Sequence, residues 1–277
     1  MHTYESLADD LAKSGIKRGD TLLVHSSMKS IGEVEGRADT VLDVFMDYFR
    51  DDGLFAMPTL TWSNVNAAQP IYDVRETKSV VGLLPELFRK REGVVRSLHP
   101  THSLAAYGRN ADAFTEGHER FDSPAGPFSP WRRLLLANAK IMFLGTGIGC
   151  NTFLHGVEEW GGAEEVLSIA KEQLVSIGYD GARHAVPSRR HIGDHSKFYH
   201  LLEPHFRALG ALSEFRFGDA MCKVLDARLA ARYTLSLVKR FPRAFTDDWN
   251  LAHPAFFTET LAEDFPQARP MLNGDFK

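Results

Sequence analysis

An alternation of apolar segments within residues 21–60 constrains the fold of this chain more than any other feature of its sequence. TLLVHSS (21–27) is a short apolar run of the kind that forms a buried strand. TVLDVFMDYF (40–49) places its apolar residues on one face of a helix, and LFAMPTL (54–60) has the features of a second strand. A strand, a helix and a strand in this order indicate an α/β protein.

Later segments continue the same alternation. We predict a helix around residues 83–91, a strand at SLAAYG (103–108) and a further helix around residues 198–209. AKIMFLG (139–145) is the clearest strand in the chain. The fold class expected from this pattern is a single α/β domain with a largely parallel or mixed central sheet flanked by helices.

The domain organisation follows from the length of the chain and its punctuation. A chain of 277 residues, 44% of them hydrophobic, can bury one sizeable core, and no low-complexity linker or internal repeat divides it. We assign residues 1–252 to the domain. Prolines interrupt the tail at three positions, so we predict that residues 253–277 form an irregular C-terminal arm on the surface.

The charge balance argues against a nucleic-acid partner, because 32 Lys and Arg residues face 36 Asp and Glu residues and the net charge is −4. Two cysteines are too few for a disulfide framework, which favours a reducing compartment. The acidic N-terminus differs from a signal peptide, and no apolar run approaches the roughly 20 residues of a membrane span. We therefore predict a soluble, cytoplasmic protein with no membrane partner.

A cluster of polar residues follows the first predicted strand. Ser26, Ser27, Lys29 and Ser30 stand in VHSSMKSIGEVEG, where a turn or helix start presents backbone N–H groups. Hydroxyls, one lysine and free N–H groups together can bind a phosphate. The alternative is an ordinary serine-capped turn, since the segment lacks the Lys-Ser/Thr pair of a P-loop.

Two histidines precede the predicted strand at residues 103–108. Pro100 restricts the backbone of His99, so this imidazole is held at a sharp entry into the strand and could transfer protons. The alternative is a hydrogen-bonded structural histidine. We expect His102 to lie at the surface or behind the site.

The segment IMFLGTGIGCNTFLHGVEEW (141–160) is the most informative stretch. Its strand breaks at Gly145, passes through a glycine-rich turn and begins a helix near Asn151. The glycine spacing lacks the last glycine of a dinucleotide fingerprint, so we interpret these as turn glycines. His155 and Glu158 share a helix face at i, i+3, which suits a general base and its carboxylate, although a solvated pair is the alternative.

A looser group of histidines between residues 184 and 205 raises the question of a metal. His191 and His195 are spaced i, i+4 with Asp194 between them, which suits one face of a helix at a metal site. A third ligand is not evident, and Arg189 and Arg190 oppose a cation. We expect no metal, and we keep a metal-dependent hydrolase as an alternative function.

Several motifs occur along the chain in a specific order. The ordered combination of H-P-x-x-S, G-x-x-S-P and N-T-x-L-H-x-x-E is far more specific than any one motif. The segments that contain them and their neighbours span most of the chain: VHSSMKSIG (24–32), GLFAMPTLTW (53–62), VVRSLHPTHSLAAYG (94–108), SPAGPFSPWRRLL (123–135), IMFLGTGIGCNTFLH (141–155) with Glu158, and a fainter FGDAMCKVLDAR (217–228). Together they resemble the aminoglycoside 3-N-acetyltransferase family.

This resemblance implies the antibiotic N-acetyltransferase fold, acetyl-CoA as the donor, and direct attack by an amine without a covalent enzyme intermediate. It puts the catalytic histidine at His155, supported by Glu158, and an acidic position beside the acceptor pocket at Asp73. The VHSS segment is similar to the part that receives coenzyme A. The predicted catalytic set is His155, Glu158, Asp73 and His99, and the predicted cofactor-binding set is Ser26, Ser27, Lys29, Ser30, Gly36, Arg37 and Ser103.

Two departures from the family pattern matter. The family usually carries a glycine pair after the VHSS segment, whereas here Gly36 is followed by Arg37. The loop between Trp62 and Tyr72 also lacks acidic residues, so we expect a small or weakly cationic amine to be a better acceptor than a polycationic aminoglycoside. That expectation weakens if the following acids converge on one pocket: Asp73, Glu158, Glu159, Glu164 and Glu165.

The leading hypothesis is therefore an acetyl-CoA-dependent N-acetyltransferase that acts on a small-molecule amine. A homodimer is left open as its assembly. A non-catalytic binding protein of the same fold is a further alternative, but it would be favoured only if His155 or Glu158 were replaced, and both residues are present.

Overall fold

A computed structural model describes residues 1–268, apart from the side chains of residues 247, 248 and 251. Ten strands are present in this part of the chain: β1 Thr21–Ser26, β2 Leu54–Pro58, β3 Ile71–Asp73, β4 Val95–Arg96, β5 Leu104–Gly108, β6 Lys140–Leu144, β7 Glu172–Ile177, β8 Arg183–Ser188, β9 Leu212–Phe217 and β10 Ala220–Asp226. Its ten α-helices are α1 Tyr4–Lys13, α2 Arg37–Phe49, α3 Leu83–Phe88, α4 Ala111–Thr115, α5 Pro130–Leu136, α6 Thr152–Gly161, α7 Glu203–Ala208, α8 Ala227–Arg240, α9 Asp247–Ala252 and α10 Phe256–Asp264.

A seven-stranded mixed sheet forms the centre of the molecule, in the order β4-β5-β2-β1-β6-β10-β9. Strand β1 runs parallel to β2 and β6, and the four outer pairings are antiparallel. The predicted α/β domain with a central mixed sheet is thus confirmed. Within this sheet, parallel pairing is confined to the three central strands, whose near-continuous apolar sequences suit burial on both faces.

Successive residues of β1 point to opposite faces of the sheet, and helices cover each face. Leu22 and Val24 pack with side chains of α1, α2 and α3, including Phe45. Leu23 packs with side chains of α5, α6 and α8, including Trp131. The two-residue period of a strand explains this division, because it sends alternate side chains to the two layers.

A second sheet of three strands, β3-β7-β8, packs beside the edge strand β4. Buried Arg96 on β4 ties the two sheets together by donating to the carbonyls of Val74 at 3.3 Å and Thr77 at 2.6 Å. Tyr72 on β3 returns a bond to the carbonyl of Ser97 at 2.9 Å. The loops of the small sheet are thereby held at a fixed position against the large one.

Two predicted segments differ from the structure. Residues 195–202 form a 3-10 helix that leads into α7, where a single helix was predicted around residues 198–209. Pro204 explains the break, since proline suits the first turn of a helix but not its interior.

The predicted irregular arm is wrong for residues 256–264, which form α10. Phe257, Thr260 and Leu261 are buried at i, i+3, i+4 spacing, and Tyr233 donates to the Phe257 carbonyl at 2.6 Å. The prolines lie outside this helix rather than in it. Residues 269–277 of the arm lie outside the described residues, and a domain boundary after residue 252 stays a prediction. No helix among residues 1–268 is long and apolar enough to cross a membrane.

Candidate active site

Strands β1 and β6 end side by side, and the chain after each forms one side of the site. Ser26 pairs with Leu144 at these parallel ends. Gly145 follows with φ +64°, and a Cβ there would lie 2.3 Å from Cβ of Ser30. Ser30 Oγ donates to the Gly145 carbonyl at 3.1 Å. A glycine is therefore required for the serine-rich loop to approach the turn before α6.

His155 and Glu158 form the predicted pair on one face of α6. His155 Nδ1 lies 3.1 Å from Glu158 Oε2. The carboxylate has no exposed surface, whereas the imidazole keeps 16% of its side chain exposed. Nε2 of His155 has no hydrogen-bond partner among the described residues, so it is the nitrogen available to a substrate. The alternative of a solvated pair does not fit this burial.

Two residues from the 3-10 helix at residues 195–202 complete the surroundings of Glu158. His195 Nδ1 lies 2.7 Å from Glu158 Oε1, and the Tyr199 hydroxyl donates to Oε2. The same hydroxyl is 2.7 Å from His155 Nδ1. Tyr199 is not among the predicted site residues, and His195 is predicted only as a metal ligand, since no local spacing connects either residue to α6.

The donors around Glu158 keep its carboxylate ionised, and the carboxylate in turn fixes the tautomer of His155. Burial alone would raise the pKa of Glu158, but hydrogen bonds from His155 and His195 outweigh it and bring the pKa to about 2. Burial also lowers the pKa of His155 by more than Glu158 raises it. At neutral pH the arrangement is thus a carboxylate that accepts from the Nδ1–H of a neutral imidazole, whose Nε2 is free to act as a base.

A cavity of about 490 Å³ opens in front of His155. His102 and His191 line it together with His155, and Trp62, Arg190 and Asp194 also contribute to its wall. The His191 ring stacks on His155 with 4.7 Å between centroids. Three imidazoles therefore face one cavity, and a volume of this size can hold a small ligand.

The family model described as aminoglycoside 3-N-acetyltransferase matches residues 23–239 of the chain. The chain belongs to this family. The matched region contains every motif on which the resemblance rests. The predicted family, fold and enzyme class, an N-acetyltransferase that uses acetyl-CoA, are therefore confirmed.

Individual relatives agree with this assignment. The chain is 33% identical over 199 residues to aminoglycoside N(3)-acetyltransferase VII of Streptomyces paromomycinus, covering 65% of this chain and 68% of the relative. It is 33% identical over 194 residues to aminoglycoside N(3)-acetyltransferase VIII of Streptomyces fradiae, covering 64% and 67%.

Solved structures share the fold. The structure described as AAC-IIIb binary with CoASH superposes with a TM-score of 0.75 at 22% identity, covering 87% of this chain and 97% of that one. YokD protein from Bacillus subtilis has a TM-score of 0.76 at 23% identity, covering 87% of this chain and 94% of that one. At these identities the likeness supports the family fold and carries no residue roles.

The predicted cofactor segment divides into half-buried and exposed residues in this member of the family. Ser26 lines a smaller cavity of about 110 Å³, which shares Cys150 and Thr152 with the cavity in front of His155. Ser27 and Ser30 are linked by their hydroxyls at 3.1 Å. The remaining three predicted contacts, Lys29, Gly36 and Arg37, are exposed.

Three other predicted site residues have internal partners instead. Ser103 is fully buried and its hydroxyl donates to the Thr59 carbonyl at 2.8 Å, which argues against a contact with the cofactor. His99 is also fully buried and its Nδ1 accepts the backbone N–H of His102 at 3.1 Å, as in the structural alternative. Asp73 Oδ1 caps the turn at Arg75, at 2.8 Å, and is not among the described residues that line the cavity. His102, expected at the surface or behind the site, lies in the cavity wall.

The two histidines of the metal alternative bind different glutamates. His195 contacts Glu158, and His191 Nε2 lies 2.6 Å from Glu159 Oε1. Among the side chains that the structure describes, no group of three His, Cys, Asp or Glu residues is arranged to hold a metal ion. This geometry and the family membership do not favour the metal-dependent hydrolase.

The five acids considered for the acceptor pocket do not converge. Glu164 and Glu165 face Arg243 at 3.8 and 3.2 Å, and Asp73 caps its turn. Glu158 and Glu159 are each used by histidines. In the cavity wall, Asp194 is the one acid among the described lining residues, so this part of the wall is not strongly acidic.

Proposed function

We propose that His155 removes a proton from the acceptor amine while the amine nitrogen attacks the thioester carbonyl of acetyl-CoA. A protonated amine has no lone pair for this attack, so a neutral base must be available. The proposal rests on the contact between His155 Nδ1 and the fully buried carboxylate of Glu158. This contact leaves Nε2 of His155 free on the side of the cavity. Such a base contributes about 10²–10⁴-fold in rate.

The proposed reaction forms the bond between nitrogen and the acetyl carbon and breaks the bond between that carbon and sulfur. The amine proton moves to His155 Nε2, and coenzyme A leaves as a thiolate that takes up this proton. Glu158 stabilises the imidazolium between these two transfers. Neither cysteine is required as a nucleophile, and the Cys150 thiol donates to the Gly147 carbonyl at 3.0 Å.

We place the arm of coenzyme A at the smaller cavity. His25 Nε2 and Ser26 Oγ, which belong to residues lining it, are buried and have no hydrogen-bond partner among the described residues. Buried polar atoms are seldom left unpaired, and the amides of a pantetheine arm can supply their partners. The smaller cavity adjoins His155 through Cys150 and Thr152, so an acyl group carried on that arm comes within reach of the base.

The decisive experiment replaces the base. We expect His155→Ala to lower kcat by about 10²-fold or more with little change in acetyl-CoA affinity, because the imidazole acts in the transition state. Release of free thiol from acetyl-CoA in the presence of an amine measures the rate. His253→Ala serves as the control, because it removes an exposed imidazole that is not among the residues lining the cavity. Near-normal turnover of His155→Ala would refute the assignment.

For the acceptor we propose a small or weakly cationic amine rather than a polycationic aminoglycoside. Each additional ammonium needs a carboxylate to replace its water, and Asp194 is the one acid among the described residues that line the cavity. We expect kcat/KM for simple monoamines to exceed that for kanamycin- or gentamicin-type compounds. Efficient acetylation of those antibiotics that weakens steeply with added salt would contradict this proposal and leave the enzyme class intact.

The homodimer and the cytoplasmic location also stay predictions. Light scattering after size-exclusion chromatography measures the assembly directly, and a monomer mass would exclude the dimer.

A further inference from the structure

Helix α6 carries a second glutamate–histidine pair directly beside the first. Glu159 Oε1 lies 2.6 Å from His191 Nε2 and accepts the backbone N–H of Ala125 at 3.2 Å. The two side chains are 5% and 9% exposed. Because a carboxylate oxygen accepts hydrogen bonds, His191 Nε2 carries the proton and Nδ1 is the bare nitrogen of this ring.

The second pair touches the face of the base. His191 stacks on His155 at 4.7 Å with 28° between the rings, and it contacts His102 edge-on at 4.8 Å. Nδ1 of His191 is buried and has no partner among the described residues. The ring of His191 therefore meets the Glu159 carboxylate at its Nε2 edge and His155 at its face.

We propose that the Glu159–His191 pair stabilises the imidazolium that His155 forms when it accepts the amine proton. The inference rests on the proposed function of His155. Glu158 holds the edge of the His155 ring through Nδ1, whereas His191 covers its face. A ring whose N–H is polarised by a carboxylate presents electron density to the cation stacked on it. His191 and Glu159 neither give nor take a proton in the reaction, so they are positioning residues.

Several parts of the chain place charged or titratable groups around His155, and a test must distinguish the effect of Glu159 from theirs. Glu158 lies on the same helix, and the 3-10 helix adds His195 and Tyr199. The cavity wall adds His102, His191, Arg190 and Asp194. Glu159→Gln leaves all of these groups in place, and its amide oxygen can still accept from His191. A changed titration of His155 in this variant therefore reports the charge of Glu159.

The experiment measures kcat/KM against pH with acetyl-CoA and a weakly basic acceptor, whose amine stays neutral over the range used. In Glu159→Gln we expect the acid limb to move to lower pH by about 0.5–1 unit, because the imidazolium loses a stabilising charge. We expect kcat to fall about 3- to 10-fold while KM for acetyl-CoA changes less than twofold. Glu164→Gln is the matched control, since it removes one negative charge at a half-exposed site beside Arg243.

A second variant and a direct measurement keep the test decisive. His191→Phe keeps a ring on His155 but removes the pair, and it must show the same downward shift if Glu159→Gln does not fold. The pKa of His155, followed by the NMR signals of its ring protons, must fall in the same variants. An unmoved limb in a folded variant, or an equal shift in Glu164→Gln, overturns the inference. If His155→Ala retains turnover, the proposed function itself fails instead.

Discussion

Three donors converge on the buried carboxylate of Glu158, and each restricts its rotation. His155 and Tyr199 approach Oε2, and His195 approaches Oε1. A carboxylate with these partners stays ionised and cannot rotate without losing charge-assisted hydrogen bonds. The imidazole of His155 is consequently held in one tautomer, with the same nitrogen always facing the cavity.

Removal of the Tyr199 hydroxyl tests this arrangement. We expect Tyr199→Phe to lower kcat about tenfold, because a hydrogen bond to a charged acceptor contributes about 1.5–3 kcal/mol and part of it orients the base. KM for acetyl-CoA should change little. Tyr233→Phe is the matched control, since its buried hydroxyl bonds the Phe257 carbonyl away from the site. A normal kcat in Tyr199→Phe with normal stability would contradict the proposed role.

Which site residues the sequence can reveal depends on chain separation. His155 and Glu158 are three residues apart on one helix, so their spacing predicts their contact. Tyr199 meets Glu158 across 41 residues of chain, and no local pattern encodes that contact. The buried position of Ser103 is hidden for a related reason, because a local motif does not reveal which serine hydroxyl is bonded to Arg96 and Thr59.

At the scale of the elements, the junction between β6 and α6 depends on one glycine. We expect Gly145→Ala to destabilise the protein by about 2–4 kcal/mol, because a Cβ at positive φ meets Ser30. Gly147→Ala is the control, since a Cβ there has open space around it. Urea denaturation of both variants measures the difference. Equal stability of the two would show that the close approach of the loops carries no energetic cost.

The elements themselves were predicted unevenly. Apolar runs identify β1, β2, β5 and β6, but they do not state direction, and the antiparallel pairing of β10 with β6 is visible only in the structure. The three prolines of the tail predict an irregular segment, whereas the i, i+4 spacing of Phe257 and Leu261 is that of a helix, and the structure follows the spacing. The burial of α10 against α8 is a tertiary effect that propensity alone does not contain.

At the scale of the whole molecule, buried neutral histidines make stability depend on pH. Burial lowers the pKa of His25 and of His118 to about 3, while an unfolded chain titrates near 6.5. Below that value the unfolded state binds more protons, so the free energy of unfolding decreases as the pH falls. Between pH 7.5 and 5.5 each such histidine costs about 1.4 kcal/mol.

We therefore expect the urea midpoint to drop markedly between pH 7.5 and 5.5. His118→Gln should weaken this dependence by one histidine's contribution, even if the variant is less stable at pH 7.5. His253→Gln, which alters an exposed histidine, is the control. A slope identical to that of the unmodified protein in His118→Gln would contradict the assignment of a buried neutral ring.

Part of the cavity wall and the catalytic base are attached to different sheets of this enzyme. Trp62 precedes β3 and Arg190 follows β8. The Arg190 guanidinium donates to the Trp62 carbonyl at 2.8 Å, so the two residues form one part of the cavity wall next to the small sheet. His155 and Glu158 belong to a helix packed on the large sheet. Replacements of Trp62 or Arg190 that spare His191 can thus accumulate over generations while the base keeps its place. Lineages of this fold can inherit one way of transferring acetyl groups and acquire new molecules to receive them.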